Sequence, residues 1–365
     1  MEPPPPQHMD STSGAEMLVN GSLGMEESGA DMGLQEEMLI PEGTFAHLNS
    51  VATDGAGSFG VSSLTFDEQE ELLWTGNSGG HVTSYHGTSL EKYTSFQVVP
   101  RASAQPEVRQ LATNDAGLFA LSQLALKANR RTGMCIFNYM SKNFEDLQCM
   151  HFSSGFNVTL GGLQKTLLQL DINTLQEVRV ARINEEDTAI LRANDQYLVC
   201  GGTTGKVTLR SPSSFESQHA LEAHQGSLSD VDVCGYKLVT CGFSLRMGQM
   251  QSDRFLMLYD LRMLRAQPPI PLSMSPAFCR FLPTYSDRRL LVVSGAGEFQ
   301  IFEIGEIAGF PFQVDTQGSG VYCVDISPSK QSMALGDGAG CLHLFSDRAD
   351  PLFNDCARPT EFADP

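Results

Sequence analysis

From about residue 40 onward the apolar residues fall into short runs cut by Gly, Asn, Asp and Ser, and they nowhere sustain a 3.6-residue period. The pattern predicts short β-strands along an all-β chain. One unit recurs: an apolar strand ends on a small residue or glycine, turns tightly, and leads into a second strand of alternating character. It is found at Leu72–Gly76, Leu118–Ser122, Val158–Gly162, Tyr197–Gly201, Leu238–Gly242, Leu291–Gly295 and Met333–Gly336. Gly161, Gly201 and Gly242 stand 40 and 41 residues apart, and Gly295 and Gly336 again 41. The one long interval, 53 residues from Gly242 to Gly295, is assigned to a loop insertion near 244–252 and an extended connection at Pro268–Pro276.

Short strands at even spacing suit a sandwich, a barrel or a propeller, but only a propeller repeats every 40 to 45 residues or so. Seven units therefore predict a seven-bladed β-propeller of the WD-repeat type over residues 41–346. Where such a blade carries its Trp-Asp pair this chain has Tyr85-His86, Phe137-Asn138, Leu170-Asp171, Arg210-Ser211, Tyr259-Asp260, Phe302-Glu303 and Phe345-Ser346. Five of these pairs still offer an aromatic wedge between blades. The fifth unit keeps the most of the pattern. His224 opens it, Cys241 stands at the usual Ser or Thr position, Asp253 takes the hairpin position and Tyr259 ends the strand. The set is read as a structural network stiffening the blade, because buried polar groups need partners, rather than as a hydrolase triad. Ring closure needs a strand from the start of the chain in the last blade. Phe45, Leu48 and Val51 alternate suitably, facing the unit at 321–346.

Composition modifies this picture at the chain's two ends. Residues 1–40 hold a proline run, Gly, Ser, Met and acids, with too little apolar surface to offset the entropy of ordering, and are read as a disordered acidic tail. Residues 347–365 are read as the start of a linker. The net charge is −19, yet no Lys or Arg precedes Lys92, and 15 acids fall in that stretch, leaving 28 acids against 24 bases in the rest. No basic stripe exists to track a phosphate backbone. The densest basic cluster is Lys127, Arg130 and Arg131 in the second unit. It is a candidate contact for RNA or an acidic partner, with a plain solvated hairpin as the preferred alternative. Nine scattered cysteines without a C-x-x-C pair read as reduced thiols of a cytosolic or nuclear protein. No apolar run reaches membrane-helix length and no signal peptide opens the chain, so no membrane role is expected.

Catalytic signatures do not assemble. Gly55-Ala56-Gly57-Ser58-Phe59-Gly60 fits G-x-G-x-x-G, but the strand-like Val61–Phe66 follows where a dinucleotide site needs a helix, so it is read as a turn. The chain has no P-loop, H-E-x-x-H or G-x-S-x-G sequence. Asp230 and Asp232 share one strand face, but no Asp-x-Glu pair of the kind that starts a two-metal nuclease site occurs, and a solvated or network role is preferred. No catalytic or metal-binding residue is assigned.

Several stretches resemble one family in loops as well as strands. They are Trp74–His81, Tyr93–Val98, Gly201–Leu209, Gly226–Asp230, Asp253–Met263, Pro276–Phe281, the final repeat Ile326–Phe345 and the exit segment Thr360–Phe362. From about residue 41 to the end the chain is similar to the N-terminal propeller of the catalytic subunit of the poly(A)-nuclease deadenylation complex. The resemblance implies a non-catalytic interaction platform in a complex that shortens mRNA poly(A) tails during mRNA turnover. It implies residence in the cytoplasm, including P-bodies, and in the nucleus. It also implies a pseudokinase-like adapter subunit as partner, captured by a linker after the propeller, with poly(A)-binding protein and poly(A) mRNA engaged indirectly. In that family a dead ubiquitin-hydrolase-like domain and a metal-dependent exonuclease follow. The expectation is that a chain stopping at Pro365 lacks the nuclease and most of the adapter-binding segment. No cofactor is then expected in this chain, and Mg²⁺ belongs to the absent nuclease alone. A generic WD-repeat scaffold and a direct poly(A)-RNA-binding propeller are the alternatives.

Overall fold

The computed structural model describes residues 44–360 and 362, apart from 102, 154–155, 184–186, 285, 307–308, 310 and 356. The acidic tail expected at 1–40 lies outside the described residues. The rest is built from seven antiparallel sheets, with no α-helix among the described residues. Blade 1 runs outward from the axis as Val61–Phe66, Leu72–Asn77, His81–His86 and Glu91–Gln97. Blades 2 to 6 start at the inner strands Gln110–Asn114, Leu147–Phe152, Ile190–Ala193, Leu228–Cys234 and Pro276–Phe281. The seven inner strands line a central channel.

Ring closure follows the expectation. Blade 7 takes Val321–Ile326, Ser332–Asp337 and Cys341–Ser346 from the end of the chain and Ala46–Ala52 from its start, with Val51 opposite Leu342. The long interval also resolves as expected. Lys237–Arg246 runs beyond its blade and pairs with Gln249–Ser252 as a projecting hairpin, and Ile270–Pro271 in the following connection pairs back onto Phe255–Leu256.

The core is divided as the architecture requires. Seven apolar clusters each span one pair of adjacent blades, so every sheet buries both faces against neighbours. This explains the glycine at several of the recurring positions. A Cβ on Gly76 would lie 2.7 Å from the Val108 side chain leading into blade 2, and one on Gly336 would lie 2.6 Å from Val61 of blade 1. Bare backbone at these strand ends lets the next blade approach.

The wedge positions fall at the ends of third strands in six blades. Blade 2 departs from the expectation. Its third strand is Ala125–Asn129, and Asn129 pairs with Leu118 as Tyr85 pairs with Leu73, so Phe137 sits one strand further out, in Cys135–Met140. A five-residue strand followed by the Arg130–Met134 turn shifts the register that spacing alone suggests. The segment expected to open the linker is docked on the propeller. The Phe353 and Asn354 amides donate to Glu71 at 2.7 and 2.9 Å, the Asn354 side chain reaches the Asp67 and Glu70 carbonyls, and Phe362 packs edge-on against His86 and Tyr93.

Candidate functional site

Three places were singled out by chemistry, and the structure arranges each differently. In blade 5, His224 stands in the connection before the inner strand and Asp253 in the turn before the third strand, at the same end of the sheet. The Asp253 carboxylate, fully buried, accepts from His224 Nδ1 at 2.8 Å and from the Ser244 hydroxyl at 2.7 Å. Nε2 of the ring is hydrogen-bonded to the Thr240 hydroxyl 3.0 Å away, and the ring stacks on Phe255. Tyr259 lies in the core between blades 4 and 5, its hydroxyl donating to the Glu222 carbonyl at 3.4 Å.

Cys241 is not in this network. Successive strand residues face opposite ways, so Thr240 points to His224 while Cys241 turns with Val239 into the apolar cluster shared with blade 6, beside Cys279. Burial pushes the Cys279 thiol well up, which keeps it protonated and unreactive. Thr240→Val should cost about 1–3 kcal/mol, because it orphans a buried imidazole nitrogen. Cys241→Ala should cost what a small core cavity costs and leave the His224–Asp253 contact intact. Urea denaturation with NMR of the His224 ring separates the two.

A second network had no signal in the local sequence. Asp337 accepts from His343 Nε2 at 3.2 Å, and Ser50 stands 2.9 Å from His343 Nδ1 and 2.7 Å from His47 Nε2. It ties the closing strand into blade 7 across almost 300 residues of sequence. The one available cue was that Asp337 precedes a third strand as Asp253 does.

The basic cluster is dispersed. Arg131 is clamped by Asp67 through Nε and Nη2 at 2.9 and 2.7 Å, with its side chain 10% exposed, and also reaches the Asn114 carbonyl. Asp67 in turn accepts the Trp74 indole N–H at 3.0 Å. Arg131 is thus a bolt between blades 1 and 2, unavailable to a phosphate. Arg130 is exposed in the turn, while Lys127 lies mid-strand and aims the other way, its ammonium 3.4 Å from the Gln97 and Val98 carbonyls of blade 1.

In the channel, Asp230 accepts from the Cys279 amide at 3.1 Å and from the Arg280 guanidinium, and Asp232 accepts the Phe281 amide at 2.8 Å. Arg192 approaches the two carboxylates at 3.6 and 3.8 Å. Asp325 repeats the device across the ring junction, accepting the Phe66 amide at 3.0 Å. These carboxylates staple one inner strand to the next. Burial raises the pKa of Asp232 and of Asp325, and among the described residues no group of three or more His, Cys, Asp or Glu gathers as a metal requires.

His151, also in the channel, has its pKa pushed down, first by burial and then by Arg192. A histidine depressed on folding binds fewer protons folded than unfolded, so its contribution to stability is lost as pH falls below the ordinary value of 6.5. His151→Gln should therefore gain on the wild type in melting temperature as pH is lowered from about 7.5 to about 5.5. An unchanged difference across that range would remove His151 from the account.

Residues 41–346 match the family described as PAN2 N-terminal. The "PAN2-PAN3 deadenylation complex catalytic subunit Pan2" of Rattus norvegicus is 40% identical over 334 residues, covering 91% of this chain and 27% of the relative. That of Schizosaccharomyces pombe is 31% identical over 310 residues, covering 84% of this chain and 28% of the relative. The chain thus spans about a quarter of the length of the curated relatives it matches. Among solved structures, the Neurospora crassa Pan2 WD40 domain superposes with a TM-score of 0.77 at 22% identity, covering 85% of this chain and 98% of that domain, which supports the fold. With most of its length matched to that N-terminal region, the chain belongs to the PAN2 family and corresponds to its WD-repeat propeller.

Proposed function

We propose that this propeller is a non-catalytic interaction platform within a deadenylase complex that shortens mRNA poly(A) tails. Family membership supplies the complex. The observation that carries the non-catalytic part is that the three constellations singled out from the sequence are closed on themselves. His224 and Asp253 are saturated by Thr240 and Ser244, Arg131 is locked on Asp67, and Asp230 and Asp232 are capped by guanidiniums and backbone amides. Such networks stiffen blades and occupy the very groups that a catalytic role would need free.

On this reading the relatives' PAN3 subunit corresponds to the adapter partner. Poly(A)-binding protein and the tail are engaged indirectly, and the nuclease with its Mg²⁺ lies outside these 365 residues. The protein works in the cytoplasm, including P-bodies, and in the nucleus.

Binding of oligoadenylate to the isolated chain at two salt concentrations tests it. The expected result is negligible affinity at both, with no Mg²⁺-dependent tail shortening. Tight binding with a steep log–log salt slope would instead establish direct contact with the phosphate backbone.

A further inference from the structure

A groove of about 250 Å³ runs between blades 1 and 2. One wall is the connection leaving blade 1, with Val98, Val99 and Pro100; the other is blade 2, with Leu124 at its turn and Met140 on its outer strand. Leu124 and Met140 are 45% and 62% exposed. Lys127 lies against the floor. Its ammonium has two long carbonyl contacts at 3.4 Å and forms no ion pair among the described residues. The comparably covered Arg131 and Arg280 each rest on a carboxylate. A half-buried cation in an apolar groove, weakly satisfied by its own chain, favours an incoming carboxylate.

The flanking strand points to the form of the ligand. Cys135–Met140 is the outer strand of blade 2, and its free edge carries unpaired N–H and C=O groups. It has no charged residue, as the outer strands Ala46–Ala52 and Phe312–Gln313 of blades 7 and 6 also have none, whereas Glu91–Gln97, Gln176–Arg182 and Ser217–Glu222 of blades 1, 3 and 4 all do. Charges on an edge deter pairing with another chain, and their absence leaves this edge open to strand addition.

We propose that this groove binds an extended peptide segment of a protein partner, in which an aspartate or glutamate flanked by aliphatic residues sets its carboxylate on Lys127. The inference deepens the platform reading and rests on it for its biological consequence. The peptide test below can fail while the oligoadenylate test still succeeds, so the two are separable.

A random 12-residue phage-displayed library selected on the full 365-residue chain is the probe. The expected result is enrichment of acids flanked by Leu, Val or Ile. A synthetic peptide of the enriched sequence should then lose affinity at least about tenfold on Lys127→Met, and by a similar factor when its acid is changed to the amide, with no further loss when both changes are combined. Leu124→Asp, at an exposed turn, should also abolish binding without lowering the melting temperature, and serves if Lys127→Met fails to fold. Enrichment without an acid, affinity unchanged in a folded Lys127→Met, or oligoadenylate occupying the groove in place of peptide would each overturn the proposal.

Discussion

Arg280→Met lowers the melting temperature by about 5–10 °C, the largest loss expected from a single charged residue here. Arg280 is 16% exposed, and the Asp230 carboxylate it holds is 4% exposed. Burial opposes the guanidinium charge, yet Asp230 and Asp232 raise its pKa and keep it protonated. Removing one member of such a pair leaves a buried carboxylate without its nearest cation, which costs about 3–5 kcal/mol. For a domain of this size about 1.5–2 °C accompanies each kcal/mol. Arg192, 3.6 Å from Asp230 and 26% exposed, remains as a partial substitute and places the loss toward the lower end. Arg280 also donates to the Cys279 carbonyl at 2.8 Å, so the inner strand of blade 6 loosens as well. Scanning calorimetry of Arg280→Met beside the double variant Asp230→Asn/Arg280→Met decides the cause. The double should recover a large part of the loss, since no charged carboxylate is then stranded at that position. A single variant melting within a degree or two of the wild type would mean that the channel charges are solvated and staple nothing.

The features legible in the sequence are those that repeat. At Gly76, Gly161, Gly201 and Gly336 the next blade presses on the end of the second strand, as Val108 does on Gly76, so much of the blade count is written as spacing. The closing strand was legible from its apolar residues, although a bulge between His47 and Asn49 breaks the alternation, so that Phe45 packs with blade 6 while Leu48 and Val51 pack with blade 1. What escaped were choices of parity and of distant partner. Thr240 and Cys241 are adjacent and both suit a histidine's partner, and a one-residue shift exchanges their faces; only the pairing of Asp230 with Cys241 and of Val231 with Thr240 fixes which one meets His224. Arg131 looked like a free cation because its partner, Asp67, is 64 residues away in another blade. Asp67 itself was counted only as one acid in an acidic stretch, although it gathers Trp74, Arg131 and the amides of Gln69 and Glu70. Local chemistry was visible, but which groups the ring closure brings together was not.

Phe353→Ala lowers stability by about 3–5 kcal/mol, as other large buried aromatic truncations do, although the residue lies beyond the last strand of the propeller. Phe353 is completely buried and meets Phe66 edge-on, ring centroids 4.9 Å apart, within the cluster that joins blade 7 to blade 1. Beside it lies the one seam the backbone does not cross, inside blade 7, where Ala46–Ala52 from the start of the described chain pairs with Cys341–Ser346 from near its end. Phe353, Asn354 and Arg358, in a strap that follows blade 7, add a second tie: two amides on Glu71, the Asn354 side chain on the Asp67 and Glu70 carbonyls, and the Arg358 amide on the Gln69 carbonyl at 2.6 Å. Hydrogen exchange should then show protection falling first in Ala46–Ala52 and Val61–Phe66, with blades 3 to 5 little changed, because each blade contacts only its neighbours. A chain shortened to end at Ser346 should melt lower than Phe353→Ala, since it loses the hydrogen bonds as well as the ring, and one ending after Phe362 should match the wild type. If Phe353→Ala instead melts within a degree or two of the wild type with exchange unchanged, the strap adheres to a ring that is already closed, and the folded unit ends with blade 7.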